Sequence, residues 1–390
     1  MRSATSILAI AMGAACLRAA HAADVFAHFM VQNSYSYEQS DWENDITTAA
    51  GIGIDGFAYD YEVGQLVTAF SVAEQLGFKL FFSFDMSYSW SSDDMVALVQ
   101  NYSTSSASYK WNGDILVSTY SGETYGESFW ADFKSTLAGE GITISLAPAF
   151  TSYRDPDDAD SLMSNFTSIN GFFNWWSWPA DVDANLTTAT DLAYQAIVKS
   201  DRTGPYIMAV SPWQFKNLNT TDNDWVEYSD TLWHYLQAIQ DVQPDIVEIV
   251  TWNDYAESHY IGDINPKVNL GTYAPNYVPK FTHGAWRNVA QFFISWYKNG
   301  TEPTDDQVVF WYRVWPKDTV CCCSLEPRNY EFPEDAIFAI ALLSEPATIQ
   351  MNIGSSASSW DAPAGHSIGS VPFPTEDAQI PRCGRGLCEH

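Results

Sequence analysis

The sequence predicts an α/β fold in which eight strand–helix units close into a (β/α)8 TIM barrel, followed by a C-terminal β-rich accessory domain. Three observations support this prediction. Short apolar runs alternate with stretches of helical periodicity from Asp24 to about Lys298. Acidic, amide and aromatic residues follow several of the apolar runs, and in a barrel such loops all emerge on one face. After Thr301 the helical pattern gives way to strand-like segments punctuated by Pro, Ser and Gly.

Each predicted strand is a short run rich in β-branched or aromatic residues, and each predicted helix has apolar residues three and four apart. The strands are Val25–Val31, Gly56–Tyr59, Lys79–Phe84, Ile115–Thr119, Ile142–Ala147, Gly171–Trp175, Tyr206–Val210 and Ile246–Thr251. The helices are Tyr37–Gly51, Gln65–Leu76, Ser92–Asn101, Ser128–Leu137, Asp157–Thr167, Thr188–Lys199, Ser229–Gln240 and His283–Tyr297. Ser40 or Asp41 is the expected N-cap of the first helix. A doubly wound open sheet explains the alternation nearly as well, but no glycine-rich phosphate loop follows the first strand.

Residues 1–22 have the pattern of a secretory signal peptide. Arg2 precedes an apolar core over Ile7–Ala15, and Ala20-His21-Ala22 has the small residues of a cleavage site. The core is too short to span a membrane, and no later apolar run approaches the required length. We therefore expect a secreted protein that is extracellular or associated with a cell wall. Acceptor triplets for N-glycosylation occur at Asn101, Asn165, Asn185, Asn219 and Asn299.

The composition excludes polyanionic partners. The formal net charge is −30, and loss of Arg2 and Arg18 with the signal peptide makes it two units more negative. Such a chain repels nucleic acid and anionic lipid, whereas a neutral polymer is a suitable partner. Aromatic residues make up 15% of the chain, and ring faces of Trp and Tyr stack well on sugar rings. We expect a monomer.

The chain is divided into a signal peptide (1–22), a catalytic barrel (23–298) and a β-rich accessory domain (299–390). Strands are predicted over Val308–Val314 and Ala336–Leu342, and a flexible tail from Gly354. The mature chain has an odd number of cysteines, so one thiol remains free or pairs with another molecule, while one or two disulfides hold this domain. These cysteines are Cys321, Cys322, Cys323, Cys383 and Cys388.

Two carboxylates follow the eighth predicted strand. Asp254 and Glu257 lie three residues apart among aromatic residues, in the segment Trp252-Asn253-Asp254-Tyr255-Ala256-Glu257. Hydrolysis of a glycosidic bond requires one carboxyl group that donates a proton and a second that acts as base or nucleophile. A solvated acidic turn after a core strand is the alternative interpretation. His259 is positioned to bind substrate, to tune a carboxylate or to make a structural hydrogen bond.

The loops after other strands carry the same kinds of residue, and we expect them to bind substrate. Three Trp residues among four positions, 175–178, cannot all point inward, so at least one is expected to face a groove. The candidate substrate-binding residues are Asp85, Glu123, Trp175, Trp178, Trp213, Trp252, Asn253 and His259.

Sequence motifs for other chemistries are absent. The run Asp155–Asp160 resembles the start of a calcium loop, but Asp160 and Phe166 occupy the positions of its required Gly and Glu. No H-E-x-x-H or G-x-S-x-G segment occurs. We therefore expect no metal site.

Segments distributed along the predicted barrel resemble glycoside hydrolase family 71, the fungal α-1,3-glucanases or mutanases. They are VFAHFMVQNSYSY (from Val25), DWENDI (from Asp41), GIDGFA (from Gly53), FKLFFSFDMS (from Phe78), LVSTYSGE (from Leu116), FFNWWSWP (from Phe172), AVSPWQF (from Ala209) and EIVTWNDYAESHY (from Glu248). The resemblance implies a (β/α)8 barrel with an appended β-rich domain and inverting, cofactor-free cleavage of α-1,3-glucan. It also implies that Asp254 and Glu257 are catalytic, and it suggests Asp85, Glu123, Trp175 and Trp178 as sugar contacts.

The resulting hypothesis is an endo-acting, inverting α-1,3-glucan hydrolase in which Glu257 is assigned as the acid and Asp254 as the base. An inverting site needs room for water, so we expect the two carboxyl groups to stand roughly 6.5–9.5 Å apart. An extended connection through Tyr255 and Ala256 would provide that separation. Two alternatives remain open: a glycosidase for another neutral glucan, and a non-catalytic wall-binding lectin on the same fold.

Overall fold

A computed structural model describes residues 23–59, 63–217, 225–227, 233–304, 306–314, 316–317 and 327–374. Strands and helices alternate through most of this part of the chain. The strands are β1 (Asp24–Phe29), β2 (Gly56–Tyr59), β3 (Lys79–Asp85), β4 (Lys110–Trp111), β5 (Asp114–Tyr120), β6 (Ile144–Leu146), β7 (Phe172–Asn174), β8 (Tyr206–Val210), β9 (Gln214–Lys216), β10 (Trp225–Glu227), β11 (Ile246–Ile249), β12 (Gln307–Tyr312), β13 (Ala336–Leu343), β14 (Ala347–Ile353), β15 (Ser356–Ala362) and β16 (Gly365–Pro372). The helices are α1 (Gln39–Gly51), α2 (Val63–Leu76), α3 (Ser92–Tyr102), α4 (Gly126–Gly139), α5 (Ala159–Asn165), α6 (Ala189–Asp201), α7 (Trp233–Gln237) and α8 (Gly284–Asn299).

A mixed α/β fold is confirmed, and its centre is a curled sheet of parallel strands. The parallel ladders join the strands in the order β6-β5-β3-β2-β1-β11-β8-β7, and short β4 adds antiparallel to β5. The two end strands also approach each other. The backbone N–H of Gly171 donates to Leu146 O and that of Phe173 to Pro148 O, each over 3.0 Å.

The two faces of the curled sheet have separate cores, because successive residues of a strand point to opposite faces. Most strands contribute at least one buried apolar side chain to the core on the concave face, including Phe26, Phe81, Leu116, Phe173 and Ile207. The convex face and the helices share a much larger cluster rich in aromatic residues. The near-continuous apolar strands of the sequence follow from this burial on both faces.

Element boundaries differ from the predicted ones mainly where tertiary contacts override local pattern. Helix α1 is capped by Glu38 rather than by Ser40 or Asp41; the Glu38 N–H donates to Asp41 Oδ2 over 2.7 Å. The single helix predicted over Ser229–Gln240 is in the structure α7 followed by a π-helical segment, Ala238–Val242. Strand β11 ends at Ile249, two residues early, and the Val250–Thr251 peptide is cis.

The C-terminal strands form an antiparallel sheet in the order β12-β13-β16 and a hairpin of β14 and β15. Trp311 of β12 packs against Trp286 of α8, with ring centroids 5.3 Å apart. We expected a flexible tail from Gly354, but β15 and β16 follow it directly.

The remaining predictions concern residues outside the described part of the chain: the signal peptide, the acceptor Asn219, every cysteine and the tail from residue 375. Among the described helices, none combines the length and apolar character that crossing a membrane requires.

Candidate active site

The segment after β11 folds into a tight, closed loop that carries both candidate carboxylates. Thr251 closes its base, because its N–H donates to His259 O and its carbonyl accepts from Ile261 N–H, each over 3.1 Å. Inside the loop, the Asp254 N–H donates to Thr251 Oγ1 (2.9 Å) and the Glu257 N–H donates to Asp254 Oδ1 (3.2 Å). These bonds fold the chain back on itself, so Asp254 and Glu257 lie side by side.

This folding contradicts the wide separation that we expected for the two carboxylates. One oxygen of each, together with a ring nitrogen of His259, all lie within 4.8 Å of one another. His259 Nε2 is 3.1 Å from Glu257 Oε2 and 3.9 Å from Asp254 Oδ2. An inverting pair needs roughly 6.5–9.5 Å between its carboxyl groups. The prediction of an extended connection was wrong because it neglected the hydrogen bonds within the loop.

Glu257 is held as a carboxylate by three side-chain donors. Lys216 Nζ lies 2.6 Å from its Oε1, while Gln214 Nε2 donates to its Oε2 over 2.5 Å and His259 contacts the same oxygen. Burial raises the pKa of Glu257, but the hydrogen bond and charge of His259 and the charge of Lys216 outweigh it and lower the pKa to about 2. Glu257 is therefore ionised throughout the physiological range.

Asp254 has the opposite environment. Burial raises its pKa, the negative charge of Glu257 raises it further, and His259 only partly opposes them, so the pKa is about 6. Two titratable groups whose pKa values are driven apart are the usual mark of an acid and its ionised partner. This environment favours Asp254 as the proton donor, the reverse of the assignment made from sequence.

Two predicted substrate contacts are structural instead. Trp252 is 1% exposed and packs in the core against Phe57, with ring centroids 5.3 Å apart. Asn253 is fully buried, and its side chain bonds both the N–H and the carbonyl of Met30 (2.7 and 3.1 Å). These two residues tie the loop after β11 to the end of β1 and have no surface left for a ligand.

The tryptophan cluster after β7 divides its roles. Trp178 is buried and sets its ring edgewise to His259, with centroids 5.2 Å apart, so it supports the imidazole beside Glu257. The guanidinium of Arg154 donates to Trp178 O (2.6 Å) and lies 4.1 Å over the Trp176 ring. Trp175 is half-buried, and its ring packs edgewise against Tyr120 at the end of β5.

The other predicted contacts lie in three different settings. Asp85 ends β3, half-buried, and accepts hydrogen bonds from the N–H and Oγ of Ser87 (2.9 and 2.6 Å). Glu123 Oε1 accepts from the Ser152 N–H (2.8 Å), which joins the loops after β5 and β6. Trp213 packs against Phe338 of β13, with centroids 6.3 Å apart, and so contacts the C-terminal sheet.

Sequence reasoning named His259 as a residue that could tune a carboxylate, but it missed the two other residues that control Glu257. Gln214 and Lys216 belong to β9, which pairs antiparallel with β10, and the Phe215 N–H donates to Glu257 O over 3.1 Å. The sequence did contain a signal for them: Gln214 and Lys216 are two positions apart, and alternate residues of a strand share one face. Missed as well was a buried pair inside the sheet, His28 and Glu248, whose Nδ1 and Oε1 are 2.9 Å apart.

Asp254, Glu257 and His259 also have donor atoms close enough to share a metal ion. The Lys216 ammonium already contacts Glu257 Oε1 at 2.6 Å, and a cation would have to approach against its charge.

Comparison with known proteins gives one consistent family. The model of Glycosyl hydrolase family 71 matches residues 21–381. The chain is 34% identical over 376 residues to a glucan endo-1,3-alpha-glucosidase of Schizosaccharomyces pombe, covering 90% of this chain and 85% of that protein. It is 32% identical over 365 residues to a mutanase of Penicillium rubens, covering 87% and 77%. An ascus wall endo-1,3-alpha-glucanase of S. pombe is 30% identical over 380 residues, covering 90% and 86%.

Among solved structures, the fold is similar to that of a GH99 endo-alpha-mannosidase from Bacteroides thetaiotaomicron. The TM-score is 0.55 at 12% identity, and the match covers 71% of this chain and 97% of the other. At this identity the likeness concerns the fold alone.

Proposed function

Because the chain belongs to glycoside hydrolase family 71, we propose that it is an endo-acting hydrolase of α-1,3-glucan, as the names of its relatives indicate. One observation of the site carries this proposal. Asp254 and Glu257 share one loop at the end of β11, and their environments drive the two pKa values apart, to about 6 and about 2. A carboxyl group that keeps its proton up to about pH 6, beside a carboxylate that is ionised above about pH 2, is the equipment for cleaving a glycosidic bond.

Asp254 donates the proton in this mechanism. The bond between the anomeric carbon and the glycosidic oxygen breaks, and the Asp254 proton passes to the departing oxygen. Glu257 serves this step electrostatically, since its negative charge helps keep the proton on Asp254 until substrate arrives. His259 contacts both carboxylates and is packed by Trp178, which limits its movement.

The water that attacks the anomeric carbon needs a base on the opposite side of the sugar. The family resemblance implies inversion, yet the nearest oxygens of Asp254 and Glu257 lie within 4.8 Å. That distance is too short to hold a sugar and a water between them. We assign the base to Asp85, at the carboxyl end of β3, where the N–H and Oγ of Ser87 both donate to its Oδ1 (2.9 and 2.6 Å) and hold the carboxyl group in place. The water oxygen bonds to the anomeric carbon, and its proton passes to Asp85.

The surrounding architecture is proposed as a closed (β/α)8 barrel over residues 23–298 with a β-rich domain over 299–390. Closure is supported by the two backbone hydrogen bonds from Gly171 and Phe173 across the end strands. The enzyme is proposed to be monomeric, to need no cofactor and to act outside the cell. Its wall-associated setting is supported by the name of the ascus wall relative. Its polymeric partner is α-1,3-glucan.

The experiment that tests this function measures reducing-sugar release from α-1,3-, α-1,4- and β-1,3-glucans in parallel. Release from α-1,3-glucan alone is expected, with no loss of activity when a chelator is present. Release from another glucan would favour the second glycosidase hypothesis. Binding of α-1,3-glucan without any release would favour the wall-binding lectin, although an acid–base pair of this kind argues against it.

A further inference from the structure

A buried polar pair crosses the interior of the curled sheet between β1 and β11. His28 Nδ1 and Glu248 Oε1 are 2.9 Å apart, and the two residues are 2% and 0% exposed. Neither belongs to the catalytic loop, although the backbone carbonyl of His28 accepts from the Trp252 N–H over 2.7 Å. The mechanism above uses neither side chain.

The pair is expensive to bury. Its neighbours on the concave face are apolar: Phe26 two residues before His28, and Ile246 and Val250 on either side of Glu248. In the described part of the chain, Glu248 Oε2 has no hydrogen-bond partner. A buried carboxylate with an unpaired oxygen is costly, and replacing such pairs by apolar residues of similar size is often neutral or stabilising. Stability alone therefore does not account for His28 and Glu248.

The pair contacts Trp175, which follows β7 directly. The His28 ring lies edgewise to the Trp175 ring, with centroids 4.9 Å apart and planes at 86°. Trp175 in turn contacts Tyr120, with centroids 4.9 Å apart, and is half-buried at the carboxyl end of β7. A Trp ring packed from below and partly open above is suited to stack on the apolar face of a pyranose.

We propose that Glu248 fixes the orientation of His28, and that His28 holds Trp175 as a sugar-binding platform at the mouth of the sheet. Glu248 and His28 are positioning residues that never touch the substrate. This inference rests on the proposed function, because it assumes that α-linked glucose units bind at this mouth. It predicts that the pair serves substrate affinity and leaves the chemical step to the loop after β11.

The test is a double-mutant cycle on soluble α-1,3-linked glucose oligomers. Glu248→Gln, His28→Asn and Trp175→Ala are each made alone, and the first two are also combined with Trp175→Ala. His28→Asn keeps an N–H donor toward Glu248 but removes the ring that touches Trp175, so it decides the question if Glu248→Gln fails to fold. Glu248→Gln and His28→Asn are each expected to raise KM about 2- to 10-fold, which is the scale of one aromatic contact, and to change kcat less than about twofold. Neither should raise KM further when Trp175 is already Ala.

Asp191→Asn is the matched control. Asp191 is also buried, 1% exposed, and is bonded by Asn174 Nδ2 and Tyr206 OH (both 2.8 Å). This change is expected to lower thermal stability without changing KM. Three results would each overturn the proposal. The fold-changes in KM of Glu248→Gln and Trp175→Ala could multiply as independent effects, the single variants could leave KM unchanged, or they could lower kcat alone.

A readout without substrate separates this inference from the proposed function. The near-ultraviolet circular dichroism of Trp175 is the difference between the wild-type spectrum and that of Trp175→Phe. The same difference measured in the Glu248→Gln background should be weaker, because a ring free to reorient loses its fixed asymmetric environment. An undiminished difference contradicts the positioning role, whether or not the protein cleaves α-1,3-glucan.

Discussion

At the scale of single residues, the site depends on two carboxyl groups with opposite environments. Asp254 is partly enclosed beside another negative charge, whereas Glu257 is surrounded by Lys216, Gln214 and His259. The same residue types three positions apart would behave alike in an exposed turn. Function at this scale depends on neighbours, of which Gln214 and Lys216 come from another strand.

The first prediction concerns the two carboxyl groups themselves. Asp254→Asn and Glu257→Gln preserve shape but remove the proton donor and the charge that sustains it. Asp254→Asn should lower kcat about 10²- to 10⁴-fold, the usual contribution of a positioned acid. Glu257→Gln should lower kcat by a smaller factor, because it removes the charge that helps keep the proton on Asp254. Asp263→Asn is the control, because Asp263 lies in the same region, 57% exposed, and pairs with Arg287 over 2.9 Å. Near-normal turnover in either site variant would remove that residue from the mechanism.

The second prediction concerns Lys216 and the pH profile. In the wild type, activity should fall as pH rises through about 6, where Asp254 loses its proton. Lys216 lowers the pKa of both Asp254 and Glu257, so Lys216→Met should raise both and move the whole profile of kcat/KM to higher pH. Lys110→Met, at an exposed position on β4, should leave the profile unchanged. A profile that stays in place or moves to lower pH contradicts the assigned role of Lys216.

At the scale of elements, the two strand ends beside the catalytic loop act as its frame. Met30, just after β1, is bonded by Asn253, and β9 presents Gln214 and Lys216 to Glu257. Helix α1 contacts the chain just beyond the loop, where Asn265 Nδ2 donates to Asp41 Oδ1 over 3.2 Å. The loop is therefore held from the end of β1 and from β9.

The third prediction belongs to helix α1. Burial raises the pKa of Asp45 to about 7, although the hydrogen bond from Tyr37 OH (2.8 Å) opposes this shift. Because the folded pKa exceeds the unfolded value, about 3.9, the stabilising contribution is complete below pH 4 and is lost as pH rises through 7. Asp45→Asn has no such dependence, so its Tm relative to wild type should rise between pH 4 and pH 8. The shift corresponds to about 4 kcal/mol at most.

Thermal melts across this pH range measure the effect of Asp45→Asn. Asp132→Asn changes an exposed residue of α4 and should shift Tm by a similar amount at every pH. A Tm difference for Asp45→Asn that does not vary with pH would show that Asp45 is not protonated in the folded protein near neutral pH.

At the scale of the whole molecule, the curled sheet collects strand ends that are far apart in sequence. Asp85 ends β3 and Asp254 follows β11, so 169 residues of chain separate the proposed base from the proposed acid. Parallel strands place both at one edge of the sheet, which is where α/β enzymes of this kind bind substrates.

The fourth prediction concerns the stereochemical outcome, which reports on that arrangement. If Asp85 activates water across the sugar from Asp254, the first product from an α-linked glucan is the β-anomer. Asp85→Asn should then lower kcat without changing the anomer that forms. Proton NMR in the first minutes of reaction distinguishes the anomers. An initial α-anomer would indicate retention, with Glu257 as nucleophile at the short spacing of the pair.

The fifth prediction concerns the molecular surface. Four of the five acceptor asparagines lie in the described part of the chain, and all four are exposed: Asn101, Asn165, Asn185 and Asn299. Expression through a eukaryotic secretory pathway should therefore yield a glycoprotein whose mass falls on treatment with an N-glycosidase. Changing all four to Gln should remove most of that shift, and an unaltered shift would show that glycans are attached elsewhere.

Much of the fold follows from sequence alone, because it depends on local pattern. Strands Gly56–Tyr59 and Tyr206–Val210 were predicted with their exact ends, since a buried apolar run bounded by polar or turn residues signals a strand by itself. The family was identified from segments whose order along the chain is preserved. Asp254 and Glu257 were found because they are neighbours in sequence.

Only the tertiary structure decided how those two carboxylates behave. Two of the three donors that keep Glu257 ionised come from β9, about 40 residues earlier, and the hydrogen bonds within the loop set a separation that sequence spacing misjudged. Trp252 and Asn253 belong to the same motif, yet both point into the protein, so composition alone could not assign them. The pairing of His28 with Glu248 joins residues 220 positions apart. Local propensity follows from the chain's own residues, whereas pKa and orientation depend on contacts that exist only after folding.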